Sequence, residues 1–160
     1  MKSYFVLNCD EQQRIADSLY GYYLGITANN KPKEFWNSLS RHQIVDYFSI
    51  PNNPTKKWFD DLGFKVRDMS YTIYNKQIKT NIHKDQPPVV AKINFPVLNT
   101  KGTFNVWYNQ NGQEIDRVEC DKPIVLRSDI LHTVEVSDTA MFPRIQFSFC
   151  FYNEPLQLLE

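Results

Sequence analysis

Apolar positions follow two regimes along the chain. As far as Gly63 they recur at helical spacing; beyond it they alternate, or gather in short runs bounded by turn residues. Tyr4 to Leu7 predicts a short first strand. Asp10, three before Gln13, has the form of a capping box, and Ile15, Ala16, Leu19, Tyr22 and Tyr23 follow on one face, which predicts a helix over 11–24. Pro32 is placed to open a second short helix through Leu39. Ser40 and Gln43 repeat the capping pattern ahead of Ile44, Val45 and Phe48. Pro54 starts another helix carrying Trp58, Phe59 and Leu62, and Gly63 ends it.

The second regime predicts strands over 64–75, 89–97, 103–108, 115–120, 123–126, 131–136 and 144–152. Turn signals separate many of them: Pro87-Pro88, Asn99-Thr100-Lys101-Gly102, Asn109-Gln110-Asn111-Gly112 and Ser137-Asp138-Thr139. Short strands at this spacing point to an antiparallel sandwich or barrel. The expectation is a single domain over 1–160, mainly β with N-terminal helices. Residues 1–63 would be a mostly helical buttress and 64–152 a jelly-roll core. Phe95, Phe104, Trp107, Phe147, Phe149 and Phe151 then read as sandwich core.

Composition adds limits. The 160 residues suit one domain with a sizeable core, and 42% hydrophobic with 14% aromatic content is globular, not disordered. Eighteen basic residues balance eighteen acidic ones, so nucleic acid and anionic membranes are not favoured partners. Three cysteines, Cys9, Cys120 and Cys150, contain no CxxC pair and read as reduced thiols. The first residues turn polar too soon for a signal peptide, and no run reaches membrane-spanning length, which gives a cytoplasmic expectation, a host cytoplasm if the gene is viral.

The candidate chemistry centres on His83-Lys84-Asp85. On extended backbone, side chains at i and i+2 leave on the same side, so His83 and Asp85 can converge on one ion. Two His and one carboxylate with open positions form the facial site of non-heme Fe(II) oxygenases. The chain has three histidines. His132 lies in the strand-like Leu131-His132-Thr133-Val134-Glu135-Val136, whereas His42 sits in the first turn of a helix and reads as a surface or cap residue. Arg144 opens the last strand. Ser137 to Pro143 is expected to make that strand the hairpin neighbour of the one carrying His132, with Arg144, Gln146, Ser148 and Cys150 on one face. A guanidinium facing inward needs a carboxylate to meet it. Asn94, Trp107 and Arg127 are further candidates to face the site.

His83-x-Asp85, a distal His132 and then Arg144 resemble the pattern of the Fe(II)/2-oxoglutarate-dependent oxygenases, over roughly residues 70–152. Ile93-Asn94-Phe95-Pro96 is similar to the strand after the first ligands in shorter members, including ones carried by bacteriophages. The resemblance implies a double-stranded β-helix, with Fe(II) held by His83, Asp85 and His132. It also implies 2-oxoglutarate as co-substrate, its far carboxylate on Arg144 and a hydroxyl contact from Tyr74. The implied reaction consumes O2, is often supported by ascorbate, and couples decarboxylation of 2-oxoglutarate to succinate with oxidation of a substrate C–H bond. The chain departs from many members at Gln146, where Ser or Thr is common, and at Asp121-Lys122-Pro123, where Gly is common. The substrate, whether a small molecule or a protein side chain, is not specified by these residues. Two other classes stay open: a cupin-like metalloenzyme that does not use 2-oxoglutarate, and a metal-free jelly-roll module for binding or assembly.

Overall fold

The computed structural model describes residues 2–33, 36–153 and 155–160, with the side chains of 36 and 37 left aside. After a short strand, β1 (Tyr4–Val6), come α1 (Gln12–Thr27), β2 (Trp36–Leu39), α2 (Arg41–Phe48) and α3 (Pro54–Leu62). The β-rich part holds β3 (Val66–Tyr74), β4 (Ile78–Lys79), β5 (Ala91–Leu98), β6 (Thr103–Tyr108) and β7 (Glu114–Glu119). It continues with β8 (Ile124–Arg127), β9 (His132–Val136) and β10 (Arg144–Phe151), and a 3-10 turn, Pro155–Leu159, follows. None of the helices described is long and apolar enough to cross a membrane.

The helix ends follow local chemistry. Ser40 Oγ accepts from Gln43 N at 3.3 Å while Gln43 Oε1 accepts from Ser40 N at 2.7 Å, the reciprocal capping box the sequence predicts. Asn53 caps α3 through Thr55 N at 2.9 Å, Pro54 stands in its first turn, and Gly63 ends it with φ +80°, a left-handed conformation that glycine adopts without Cβ strain. α1 differs from expectation. Its N-cap is Glu11, with no side-chain cap bond, and Gln13 donates forward to Asp17 at 2.8 Å instead of reaching back.

Two antiparallel sheets make a double-stranded β-helix, or jelly roll. The larger runs β1-β8-β5-β10-β3-β2 and the smaller β4-β9-β6-β7. Two expectations are corrected here. The helix expected over 32–39 is absent: residues 34 and 35 lie outside the described residues, and Trp36–Leu39 form β2, paired with Thr72 to Met69. The open edge of β3 supplies hydrogen bonds that override a local preference set by one proline. The strands expected to form a hairpin, β9 and β10, lie in different sheets. β9 pairs with β4 and β6, β10 with β3 and β5, and residues 137–143 cross between the layers.

Most of the apolar core lies outside the sandwich interior, although Trp107 with Ile124 and Leu126, and Tyr74 with Val136, form smaller buried clusters between the sheets. Ile93, Phe95, Phe147, Phe149 and Phe151 on the larger sheet join one buried cluster with Ile15, Leu19, Tyr47 and Phe59 of the helices. Edge-on ring contacts seal it, including Phe59 with Phe149 at 4.8 Å and with Phe151 at 5.1 Å. The helices therefore cover the outer face of the larger sheet, and strand alternation turns the polar positions of β3, β5 and β10 inward, toward the smaller sheet.

Candidate metal centre

A cavity of about 550 Å³ opens between the sheets. Its wall includes Ser70, Thr72 and Tyr74 of β3, Lys92 and Asn94 of β5, Asn105 of β6 and Gln146, Ser148 and Cys150 of β10. His83, Asp85 and His132 complete one side.

Those three residues are brought together by backbone contacts. His83 and His132 form an isolated antiparallel bridge, N–H to carbonyl both ways at 3.0 and 2.9 Å. Asp85 N–H donates to Ser128 O at 2.8 Å, which ties the next turn of chain to the end of β8. The segment is bridged rather than a regular strand, yet residues 83 and 85 still project to the same side. Asp85 Oδ1 lies 3.6 Å from Nε2 of His83 and 3.6 Å from Nε2 of His132. One ligand atom from each residue lies within 4.8 Å of the others, and the rings are 4.5 Å apart.

The tautomers suit a cation. His83 Nδ1 is 2.7 Å from Asn81 O and His132 Nδ1 is 2.8 Å from Ile130 O. A carbonyl only accepts, so each Nδ1 carries a proton, and Nε2 is the nitrogen left to face the carboxylate and, once free of any proton of its own, a cation. Burial pulls the His132 imidazole down to about 4, so it is neutral near pH 7. The hydrogen bond to Asp85 raises His83. Burial pushes Asp85 up, but His83 and the Lys92 ammonium outweigh it and hold the carboxyl well below the usual range. Two imidazole nitrogens and one carboxylate oxygen facing a common point are a ligand set for a divalent cation of the Fe(II) type.

Tyr74 and Arg144 are directly paired across β3 and β10. Tyr74 lines the cavity, and burial pushes its phenol up to about 12. Arg144 lies just behind the wall and is fully buried. Its Nη2 donates to Cys120 O at 2.8 Å and reaches Gln146 Oε1 at 3.4 Å, and its Nη1 donates to Asn99 O at 3.2 Å. Nε is buried without a hydrogen-bond partner, and no carboxylate pairs with the guanidinium among the described residues. Burial lowers its pKa accordingly. A desolvated cation with an orphaned donor is costly unless an anion completes it.

Of the other candidates, Asn94 lines the cavity and bonds Ser148 Oγ at 2.7 Å. Trp107 is the register partner of His132 but packs with Cys120, Ile124 and Leu126, its indole donating to Arg127 O at 3.0 Å. Arg127 turns to Asp129 at 2.8 Å. Neither lines the cavity. His42 is exposed, 3.4 Å from Asp46, and takes no part. The sequence reading missed Lys92, whose Nζ is 2.6 Å from Asp85 Oδ2. The available signal was its position two before Asn94, on the polar face of a strand whose alternate residues are Ile93 and Phe95.

No protein-family model matches the chain, and no curated protein sequence is detectably similar. Solved structures are similar in fold. A prolyl-4-hydroxylase from Pseudomonas putida superposes with TM-score 0.55 at 10% identity, covering 94% of this chain and 92% of that one. The viral collagen prolyl hydroxylase of Paramecium bursaria Chlorella virus-1, in complex with 2OG, gives 0.53 at 11% identity, covering 92% and 95%. An oxidoreductase of the 2OG-Fe(II) oxygenase family from Burkholderia pseudomallei gives 0.50 at 13%, covering 91% and 92%. The double-stranded β-helix is thus the one these oxygenases use.

Proposed function

We propose that the chain is an Fe(II)- and 2-oxoglutarate-dependent oxygenase acting on a substrate that enters the cavity between the sheets. The observation that carries this reading is the convergence of His83 Nε2, His132 Nε2 and one Asp85 oxygen within 4.8 Å, with both imidazole Nδ1 protons committed to backbone carbonyls. Those three atoms would hold the iron on one face and leave its other positions open. Arg144 would receive the far carboxylate of the co-substrate, which satisfies its orphaned Nε and neutralises a buried charge. The Tyr74 hydroxyl, kept protonated, would donate to the same carboxylate. Iron and 2-oxoglutarate, when bound, supply oxygen activation and the decarboxylation to succinate and carbon dioxide that oxidises a substrate C–H bond.

The protein's share is position, exclusion of water and electrostatics. On this reading no side chain needs to act as a general base. The alternatives make distinct predictions. A cupin-like enzyme using the same ligands leaves Arg144 without a ketoacid, and a metal-free module leaves the triad as a hydrogen-bonded cluster. A succinate-release assay with Fe(II), ascorbate and 2-oxoglutarate, without primary substrate, tests the reading: slow turnover dependent on His132 is expected. Absence of both succinate release and an anaerobic Fe(II)–2-oxoglutarate charge-transfer band would exclude it.

A further inference from the structure

The cavity wall carries a charged group that the oxygenase reading does not use. Lys92 and Asn94 lie two apart on β5 and share its inner face. Among the described residues that line the cavity, Lys92 is the only Lys or Arg and Asp85 the only acid. Lys92 Nζ lies 2.6 Å from Asp85 Oδ2, and the two side chains are 19% and 20% exposed. The carboxylate is therefore divided: Oδ2 belongs to the ammonium and Oδ1 faces the imidazoles, 3.6 Å from each Nε2. An ion pair this sheltered is weakly screened by salt.

We infer that Lys92 is a positioning residue, the built-in counter-ion of Asp85, and that its charge lowers the affinity of the His83–Asp85–His132 site for a divalent cation. The inference rests on the metal-centre reading. In the metal-free protein the ammonium neutralises a half-buried carboxylate beside two imidazoles and keeps Oδ1 aimed at them. A divalent cation seated on Oδ1 must share that carboxylate with a positive charge already on Oδ2, and the two cations repel. A neutral side chain at position 92 removes the repulsion and leaves Asp85 in need of a partner. Both changes favour the metal. The opposing loss, greater freedom for one short side chain, is small.

Metal-free protein and the variants Lys92→Met, Lys92→Gln and Lys92→Arg are titrated calorimetrically with Mn(II), with circular dichroism confirming the fold of each. Lys92→Met and Lys92→Gln should bind at least about fivefold more tightly, and Lys92→Arg within about twofold of the unaltered protein. A merely structural lysine would give weaker binding when replaced. Gln retains an N–H for Asp85 and Arg retains the charge, so the pair still decides the matter if Lys92→Met does not fold. Equal or weaker binding by the neutral variants, or tightening by Lys92→Arg as well, overturns the assignment. Failure of the unaltered protein to take up Mn(II), or equal uptake by His132→Ala, instead overturns the metal centre and the role of Lys92 with it.

Discussion

Replacing Arg144 with Met should separate co-substrate binding from metal binding. The guanidinium is fully buried, has no carboxylate partner among the described residues, and leaves Nε unpartnered. A charge-assisted hydrogen bond contributes about 1.5–3 kcal/mol, so Arg144→Met should weaken 2-oxoglutarate by roughly 10- to 150-fold. The guanidinium bonds Asn99 O, Cys120 O and Gln146 Oε1 and none of the three ligand residues, so Mn(II) affinity should stay within about twofold. The variant's own stability is set by opposed effects. The carbonyls of Asn99 and Cys120 lose their donor, but a desolvated cation disappears. Its Tm should shift by only a few degrees, taking roughly 2–4 °C per kcal/mol at this size. The direct assay is an anaerobic titration of the Fe(II) protein with 2-oxoglutarate, following the charge-transfer band. A parallel thermal melt at 100 times the unaltered protein's Kd should show about 2.7 kcal/mol of ligand stabilisation for that protein and no more than about 1.4 kcal/mol for Arg144→Met. An unchanged Kd would remove Arg144 from the co-substrate site. Loss of metal binding would show that Arg144 holds the centre itself together.

Four further outcomes are expected. Tyr74→Phe removes one hydroxyl donor, worth about 0.5–1.5 kcal/mol, and should weaken 2-oxoglutarate roughly two- to tenfold without changing Mn(II) binding, measured by the same titration. His83→Ala and His132→Ala should each abolish stoichiometric Mn(II) uptake in calorimetry; full retention by either would mean that the ion binds elsewhere. Phe149→Ala opens a hole in the ring cluster against Phe59 and should cost about 3–5 kcal/mol in urea unfolding, with a lowered midpoint and an unchanged m-value, whereas Ser40→Ala, which removes one cap, should cost about 0.5–2 kcal/mol.

The fold was legible wherever the information was local. Alternation in 103–108 and 144–152 reproduces β6 and β10 to within a residue, and Ser40 with Gln43 announces its own cap. What the sequence misplaced depends on partners distant in the chain. Trp36–Leu39 is a strand because β3 has an edge to fill, and residues 137–143 cross between sheets because Arg144 finds Tyr74 rather than His132. The site divides in the same way. His83, Asp85 and His132 were visible through residue type and order, and their bridge and Nδ1 contacts supply the convergence. Lys92 escaped notice because a lone lysine in a strand signals nothing until the facing carboxylate is known. Nor did the phenylalanines reveal which side of the larger sheet the helices would cover.

That sidedness has a practical consequence in β10. Ile145, Phe147, Phe149 and Phe151 anchor the strand to the helices, while Gln146, Ser148 and Cys150 paper the chamber and Arg144 stands behind them. Odd positions hold the scaffold and even positions line the cavity. A library that randomises only 146, 148 and 150 should therefore alter what the chamber admits while leaving the fold's foundations in place, because neighbouring letters of one strand answer to separate demands.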